Sequence, residues 1–173
     1  VNDAPAIKKA DIGIAMGITG SDVAKETADM ILTDDNYASI VSAIEQGRII
    51  YSNIRKFVFF LLSCNMAEIM IIFLATLFTG QSPLTAIQIL WLNLVTDGAP
   101  ALALATEKGD PNIMEQPPRP TDESIVNKHM RSAILIQTLA ISASTLPAFF
   151  IGRAAFPTIN NISTSMAFAT LSL

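Results

Sequence analysis

The chain has 173 residues, 51% of them hydrophobic, with a formal net charge of −4 and a mean hydropathy of +0.46. That apolar content is high for a water-soluble domain and fits membrane helices joined to a soluble piece; with so small a charge and no basic patch interleaved with aromatics, nucleic-acid binding is not expected. The single cysteine, Cys64, excludes an internal disulfide and a cysteine metal cluster, and its place in an apolar run reads as a small packed residue.

No signal peptide opens the chain. It starts at Val1-Asn2-Asp3 without a methionine and stops inside an apolar segment at Ser172-Leu173, so an internal piece of a longer protein is expected. Residues 1–36 read as soluble and α/β. Asp3 can cap a helix with Pro5 in its first turn, continued over 6–10. A short buried strand is expected over 12–16, a helix over 22–28 capped by Ser21 or Thr19, and a second strand at Met30-Ile31-Leu32, closed by Thr33-Asp34-Asp35-Asn36. Strands alternating with helices over short connections predict a parallel sheet.

From Tyr37 the spacing is helical, and no proline intervenes before Thr79. One helix of about 60 Å, at 1.5 Å per residue, is expected to run from the soluble part into the membrane, with Gly47 its weakest point. Four apolar runs follow: 57–78, 84–105, 130–151, and 163–173, which is truncated. The first three are long enough for a bilayer, which takes about 20 residues. A polar, proline-rich loop at 107–128 separates the second from the third. Arg48, Arg55 and Lys56 precede the first run, and Lys108, Arg119, Lys128 and Arg131 lie between the second and third, so both regions are expected to be cytoplasmic.

The second run carries polar residues where lipid would exclude them. Asn93, Thr96 and Asp97 stand three and four apart on one helix face, with Gly98 and Pro100 close behind. A carboxylate at that depth costs at least ~2.5 kcal/mol, so a chain that keeps one uses it. Pro100 is expected to loosen the helix and free carbonyl oxygens. The first run carries Glu68 near its middle and Asn65 on the same face; Asn65 alone could equally make an interhelical hydrogen bond, and Glu68 a protonated packed carboxyl. Together these five side chains form an oxygen-rich set suited to a hard cation, and Ca2+ takes six to eight such oxygens. No imidazole is near; His129 reads as an interfacial residue. Asp3 beside Asn2 is most simply a helix cap, although Asp and Asn opening a helix can also position a phosphate or Mg2+.

At this point the motifs resemble a known family. Val1-Asn2-Asp3-Ala4-Pro5 followed by Lys8-Lys9-Ala10-Asp11-Ile12-Gly13-Ile14-Ala15-Met16-Gly17 resembles the hinge motif of P-type ATPases. Asp34-Asp35-Asn36 and Glu45-Gln46-Gly47-Arg48 are similar to the same family. Asn65-Met66-Ala67-Glu68 and Trp91 through Gly98 resemble the fifth and sixth membrane helices of calcium pumps of the sarco/endoplasmic reticulum type, with Ala103 through Glu107 and Pro117-Pro118-Arg119 resembling the loop that follows.

The resemblance implies the end of a haloacid-dehalogenase-type, Rossmann-like phosphorylation domain at 1–36, a helical stalk at 37–56, and an α-helical transmembrane bundle at 57–173. It implies that Asn65, Glu68, Asn93, Thr96 and Asp97 are Ca2+ ligands, Asp97 shared between two ion sites, and that Asn2 and Asp3 lie near the phosphorylated aspartate and its Mg2+. Asp110 would fall in the loop that couples the two parts. The whole protein would be a multi-pass pump of the cell membrane, with ATP and Mg2+ as cofactors, an aspartyl-phosphate intermediate, Ca2+ as cargo, and the bilayer and its own remaining domains as partners. The family's DKTGT and TGDG motifs are absent from these residues, as are its nucleotide-binding and actuator domains and its fourth-helix ligands, so this piece alone is not expected to turn over. Rival readings are a pump for Mn2+, Na+, K+ or H+ (Asn93, where the sodium, potassium and proton pumps usually carry Asp, argues against those three), a channel or secondary transporter, and a membrane-tethered phosphatase.

Overall fold

The computed structural model describes residues 2–120, 122–158 and 161–172; Val1 of the opening motif, Asn160 in the last loop and Leu173 of the fourth run lie outside them. The chain divides into two compact units, Val1–Ile49 with Asp110–Gln116, and Ile50–Gly109 with Pro117–Leu173.

The first unit is small and mixed α/β. Helix α1 (Ala4–Lys9) has Pro5 in its first turn, where a missing N–H breaks no bond. Asp3 stands at its N-cap but makes no capping bond, because its backbone is already helical (φ −88°, ψ −13°) and a capping side chain needs extended backbone to fold back. The expected cap is therefore a cap in position only. Strand β1 (Ile14–Met16) starts later than the pattern suggested. Gly13 is already engaged with Asp29, its N–H donating to Asp29 Oδ2 (2.8 Å) and its carbonyl accepting from Asp29 N (2.8 Å). Helix α2 (Asp22–Thr27) is capped by Ser21, whose Oγ accepts from Ala24 N at 3.3 Å. Strand β2 (Met30–Leu32) pairs with β1 in parallel, Ile14 opposite Met30 and Met16 opposite Leu32. Arg48 gathers the 110–116 segment, donating to Ile113 O (2.9 Å) and Gln116 O (2.8 Å).

Thr19 does not cap α2 because it serves Asp35. Asp35 has left-handed backbone (φ 50°) and accepts from Ile18 N (2.8 Å), Thr19 N (2.8 Å) and Thr19 Oγ1 (2.7 Å). These bonds, the Ile18 amide first, hold its carboxyl below the ordinary aspartate value of 3.8. A depressed folded pKa adds stability that is complete above the unfolded value and is lost as pH falls through the folded one. Amide hydrogen exchange at Ile18 and Thr19 is therefore expected to accelerate as pH drops below about 4, after correction for intrinsic rates. Asp35→Asn, which tolerates the same backbone, should remove that acid dependence and leave both amides weakly protected at neutral pH. An unchanged profile in the variant would show that the carboxylate does not hold the loop.

Helix α3 (Ala38–Thr79) is continuous over 42 residues, about 63 Å, and runs unbroken through Gly47. Gly80, in left-handed backbone (φ 69°), ends it, its N–H closing on Thr76 O at 2.8 Å. In the second unit α4 (Ala86–Trp91) begins with a capping box between Thr85 and Gln88. It passes into a π-turn (Leu92–Thr96) and then α5 (Gly98–Ala105). Helix α6 (Lys128–Ala155) starts earlier than the apolar run, because Asn127 Oδ1 caps Met130 N at 2.9 Å, and it carries Pro147 internally. Helix α7 (Ile162–Leu171) packs along α6. Ala75, Leu84, Leu92, Phe149 and Ala167 form the buried core of this unit. Three helical stretches, Ala38–Thr79, Ala86–Ala105 and Lys128–Ala155, are long and apolar enough to cross a bilayer, which makes this a multi-pass membrane protein.

Candidate cation site

The site grows out of the break between α4 and α5. Pro100 lacks an N–H and its ring crowds the carbonyl four residues back, so no α-helix can run through it undisturbed. The sequence pattern placed the loosening at the proline itself; the structure places it one turn earlier. Asp97 N reaches back five residues to Leu92 O (2.8 Å), and α5 then restarts at Gly98 with Pro100 in its first turn, where free N–H groups are the rule. Such π-turns are frequent at functional sites. This one carries Asn93 and Thr96 and delivers Asp97 as the residue that joins it to α5.

Glu68 projects from α3 and is 7% exposed; Asp97 is 6% exposed. Asn93 connects the two helical stretches, its Nδ2 donating to Glu68 Oε2 (3.1 Å) and to Ile89 O on its own helix (3.0 Å). Glu68 and Asp97 are near enough for their charges to interact. Asp97 Oδ2 is buried and has no hydrogen-bond partner among the described residues. An unpaired carboxylate oxygen away from water is costly, and a cation is the partner that such an oxygen lacks.

Of the expected set, then, Glu68, Asn93 and Asp97 converge. Asn65 donates instead to Leu61 O of its own helix (2.8 Å), a bond that does not use its side-chain oxygen, and makes no interhelical bond among the described residues. Thr96 is half-buried and its hydroxyl makes no hydrogen bond among the described residues. No group of three or more His, Cys, Asp or Glu side chains poised for a metal occurs among the described residues. The convergent set has only two carboxylates, and amide, hydroxyl and carbonyl oxygens must supply the rest, as hard cations accept. Asn2 and Asp3 belong to the first unit and are both exposed at the start of α1.

Cys64, expected as a small packed residue, is half-buried on α3, four residues before Glu68 and on the same face. One residue went unnoticed in the sequence. Asn53, 4% exposed, donates through Nδ2 to Glu107 O (2.7 Å) and Ala105 O (3.3 Å) at the end of α5. Nothing in an Asn between Ser52 and Ile54 marks that role in advance.

A family model described as the C-terminus of cation-transporting ATPases matches residues 81–173, more than half of the chain. The chain is 51% identical over 152 residues (88% of its length) to a protein of Bacillus cereus named calcium-transporting ATPase 1, covering 17% of that protein. It is 46% identical over all 173 residues to a calcium-transporting ATPase of Bacillus subtilis, covering 19% of it. It is 49% identical over 150 residues (87% of its length) to the human calcium-transporting ATPase type 2C member 1, covering 16%. The chain thus spans less than a fifth of the length of these relatives.

Proposed function

Because this chain belongs to the cation-transporting P-type ATPase family, we propose that the whole protein is an ATP-driven pump that carries Ca2+ across the cell membrane. The observation that carries this reading is the buried Asp97 oxygen without a partner, beside Glu68 and Asn93 on a broken membrane helix. Glu68, Asn93, Asp97, Thr96 and the carbonyl oxygen of Asn65 are the ligands, and the set of oxygens without imidazole favours a hard divalent ion. The names of the relatives point to the same cargo.

In this reading residues 1–36 complete a phosphorylation domain, 37–56 form a stalk, and 57–173 belong to the membrane domain, with the N-terminal part and the 107–128 loop cytoplasmic. Asp3 fits a Mg2+ role, since its carboxylate is exposed and unspent on capping α1, and Asn2 adjoins it. Mg2+ held there would neutralise charge on the phosphoryl group in transfer from ATP to an aspartate elsewhere in the protein. Helix α3 begins at Ala38 and carries Glu68, so it is the covalent link between the stalk and the ligand.

The test is ATP-dependent Ca2+ uptake by the full-length protein in sealed vesicles. Glu68→Gln keeps the bond from Asn93 in shape but removes one charge from the site, and is expected to raise the Ca2+ concentration for half-maximal uptake at least ~10-fold, about 1.4 kcal/mol. Uptake with unchanged Ca2+ dependence in this variant would remove Glu68 from the ligand set.

A further inference from the structure

The segment from Asn93 to Glu107 runs antiparallel to α3 and is tied to it at two points. One is Asn93 Nδ2 to Glu68 Oε2 (3.1 Å). The other is Asn53 Nδ2 to Glu107 O (2.7 Å) and Ala105 O (3.3 Å). The ties are about 22 Å apart along α3 at 1.5 Å per residue, and Asp97 lies between them.

The two ties differ in kind. The first is made of cation ligands, so an ion that takes Glu68 competes with it. The second uses backbone carbonyls at the end of α5, which no ion in the site can claim. Asn53 also keeps its own Oδ1 buried without a partner. A side chain held in that unfavourable setting is retained for what its other atom does. The neighbouring ion pair of Lys56 with Glu107 (2.5 Å) is about half exposed on both sides and cannot substitute, because solvent screens it.

We propose that Asn53 is a positioning residue for the cation site: it pins the end of α5 to α3, so that Asp97 keeps its place along α3 when an ion takes over the Asn93–Glu68 contact. This rests on the calcium reading above.

The experiment measures thermal unfolding of the full-length protein in detergent, in chelator and across a CaCl2 titration, and takes apparent affinity from the ligand-dependent shift. Asn53→Ala is expected to weaken apparent Ca2+ affinity about 10-fold, because a looser α5 delivers Asp97 less often. Asn53→Ser, which keeps one donor and removes less of the packing, should fall in between and serves if the alanine variant does not fold. Lys56→Gln should leave the affinity at the wild-type value. If the Asn53 variants lower the unfolding midpoint equally with and without Ca2+, leaving affinity unchanged, Asn53 is merely structural and the proposal is wrong. A wild type that Ca2+ does not stabilise overturns the calcium reading and this inference together.

Discussion

Asp97→Asn is expected to abolish ATP-dependent Ca2+ uptake and, at the same time, to raise the thermal stability of the ion-free protein. Both effects come from one atom. Asp97 is 94% buried by its 6% exposure, and its Oδ2 has no partner. In the presence of the ion, that oxygen supplies a full charge at contact distance where water is excluded. Replacing it with an amide oxygen removes a charge–charge term of several kcal/mol in a medium of intermediate dielectric constant. With roughly 1.4 kcal/mol per tenfold, Ca2+ affinity should fall by ~100-fold or more. Without the ion, the same carboxylate is a buried group that lacks compensation, and a neutral amide costs less to keep there. Uptake assays and unfolding midpoints in chelator read the two effects separately. Loss of uptake with loss of stability would point to general damage, and retained uptake at normal Ca2+ concentrations would remove Asp97 from the site.

Gly152→Leu should destabilise the second unit more than any other single change at the α6–α7 contact. A Cβ at position 152 would stand 2.8 Å from Ser163 Cα, 2.9 Å from Met166 Sδ and 3.3 Å from Ser163 N. The Met166 side chain can swing aside, but the Ser163 atoms are main chain, so α7 itself must move. Close helix approach at small residues is how membrane helices gain packing when lipid offers no hydrophobic drive. Overpacking costs typically ~1–3 kcal/mol, and leucine's branched carbons take it to the upper end. Gly152→Ala should show a smaller loss, since even its single methyl meets main chain. Met166→Ala should restore part of that loss, and Ser163→Gly little, because removing a side chain leaves Ser163 Cα in place. Unfolding midpoints in detergent rank the four variants; a leucine variant as stable as wild type would mean that α6 and α7 do not meet at Gly152.

What the sequence disclosed followed from patterns that act over short distances. Strands expected over 12–16 and 30–32, alternating with helices, announced a parallel pair, and the pair formed over Ile14–Met16 and Met30–Leu32. Uninterrupted apolar spacing announced α3 and α6, although α6 starts earlier than its apolar run because Asn127 supplies a cap. Polar residues at membrane depth singled out Asn65, Glu68, Asn93, Thr96 and Asp97, of which Glu68, Asn93 and Asp97 converge. The departures arose where tertiary geometry decides. Asp3 looked like a capping side chain, but its backbone was already helical. Pro100 announced a break without saying on which side of it the helix would yield. Asn53 acquires its meaning only from what lies across from it on the 93–107 segment, and no local pattern encodes that partner.

The π-turn at Leu92–Thr96 also bears on how this stretch can change in length. A π-turn is an α-helix holding one residue too many for its turn. Deleting one residue within it would let the reach of Asp97 N fall from five residues back to the ordinary four. Everything beyond would keep roughly its facing relative to Trp91, because the π-turn spends its extra residue within one turn. The same deletion within the regular α4 would instead rotate Asp97 by roughly 100° relative to Thr85, leaving the chain as apolar and as helical as before. Length variation is therefore absorbed at the π-turn and becomes a change of facing in α4.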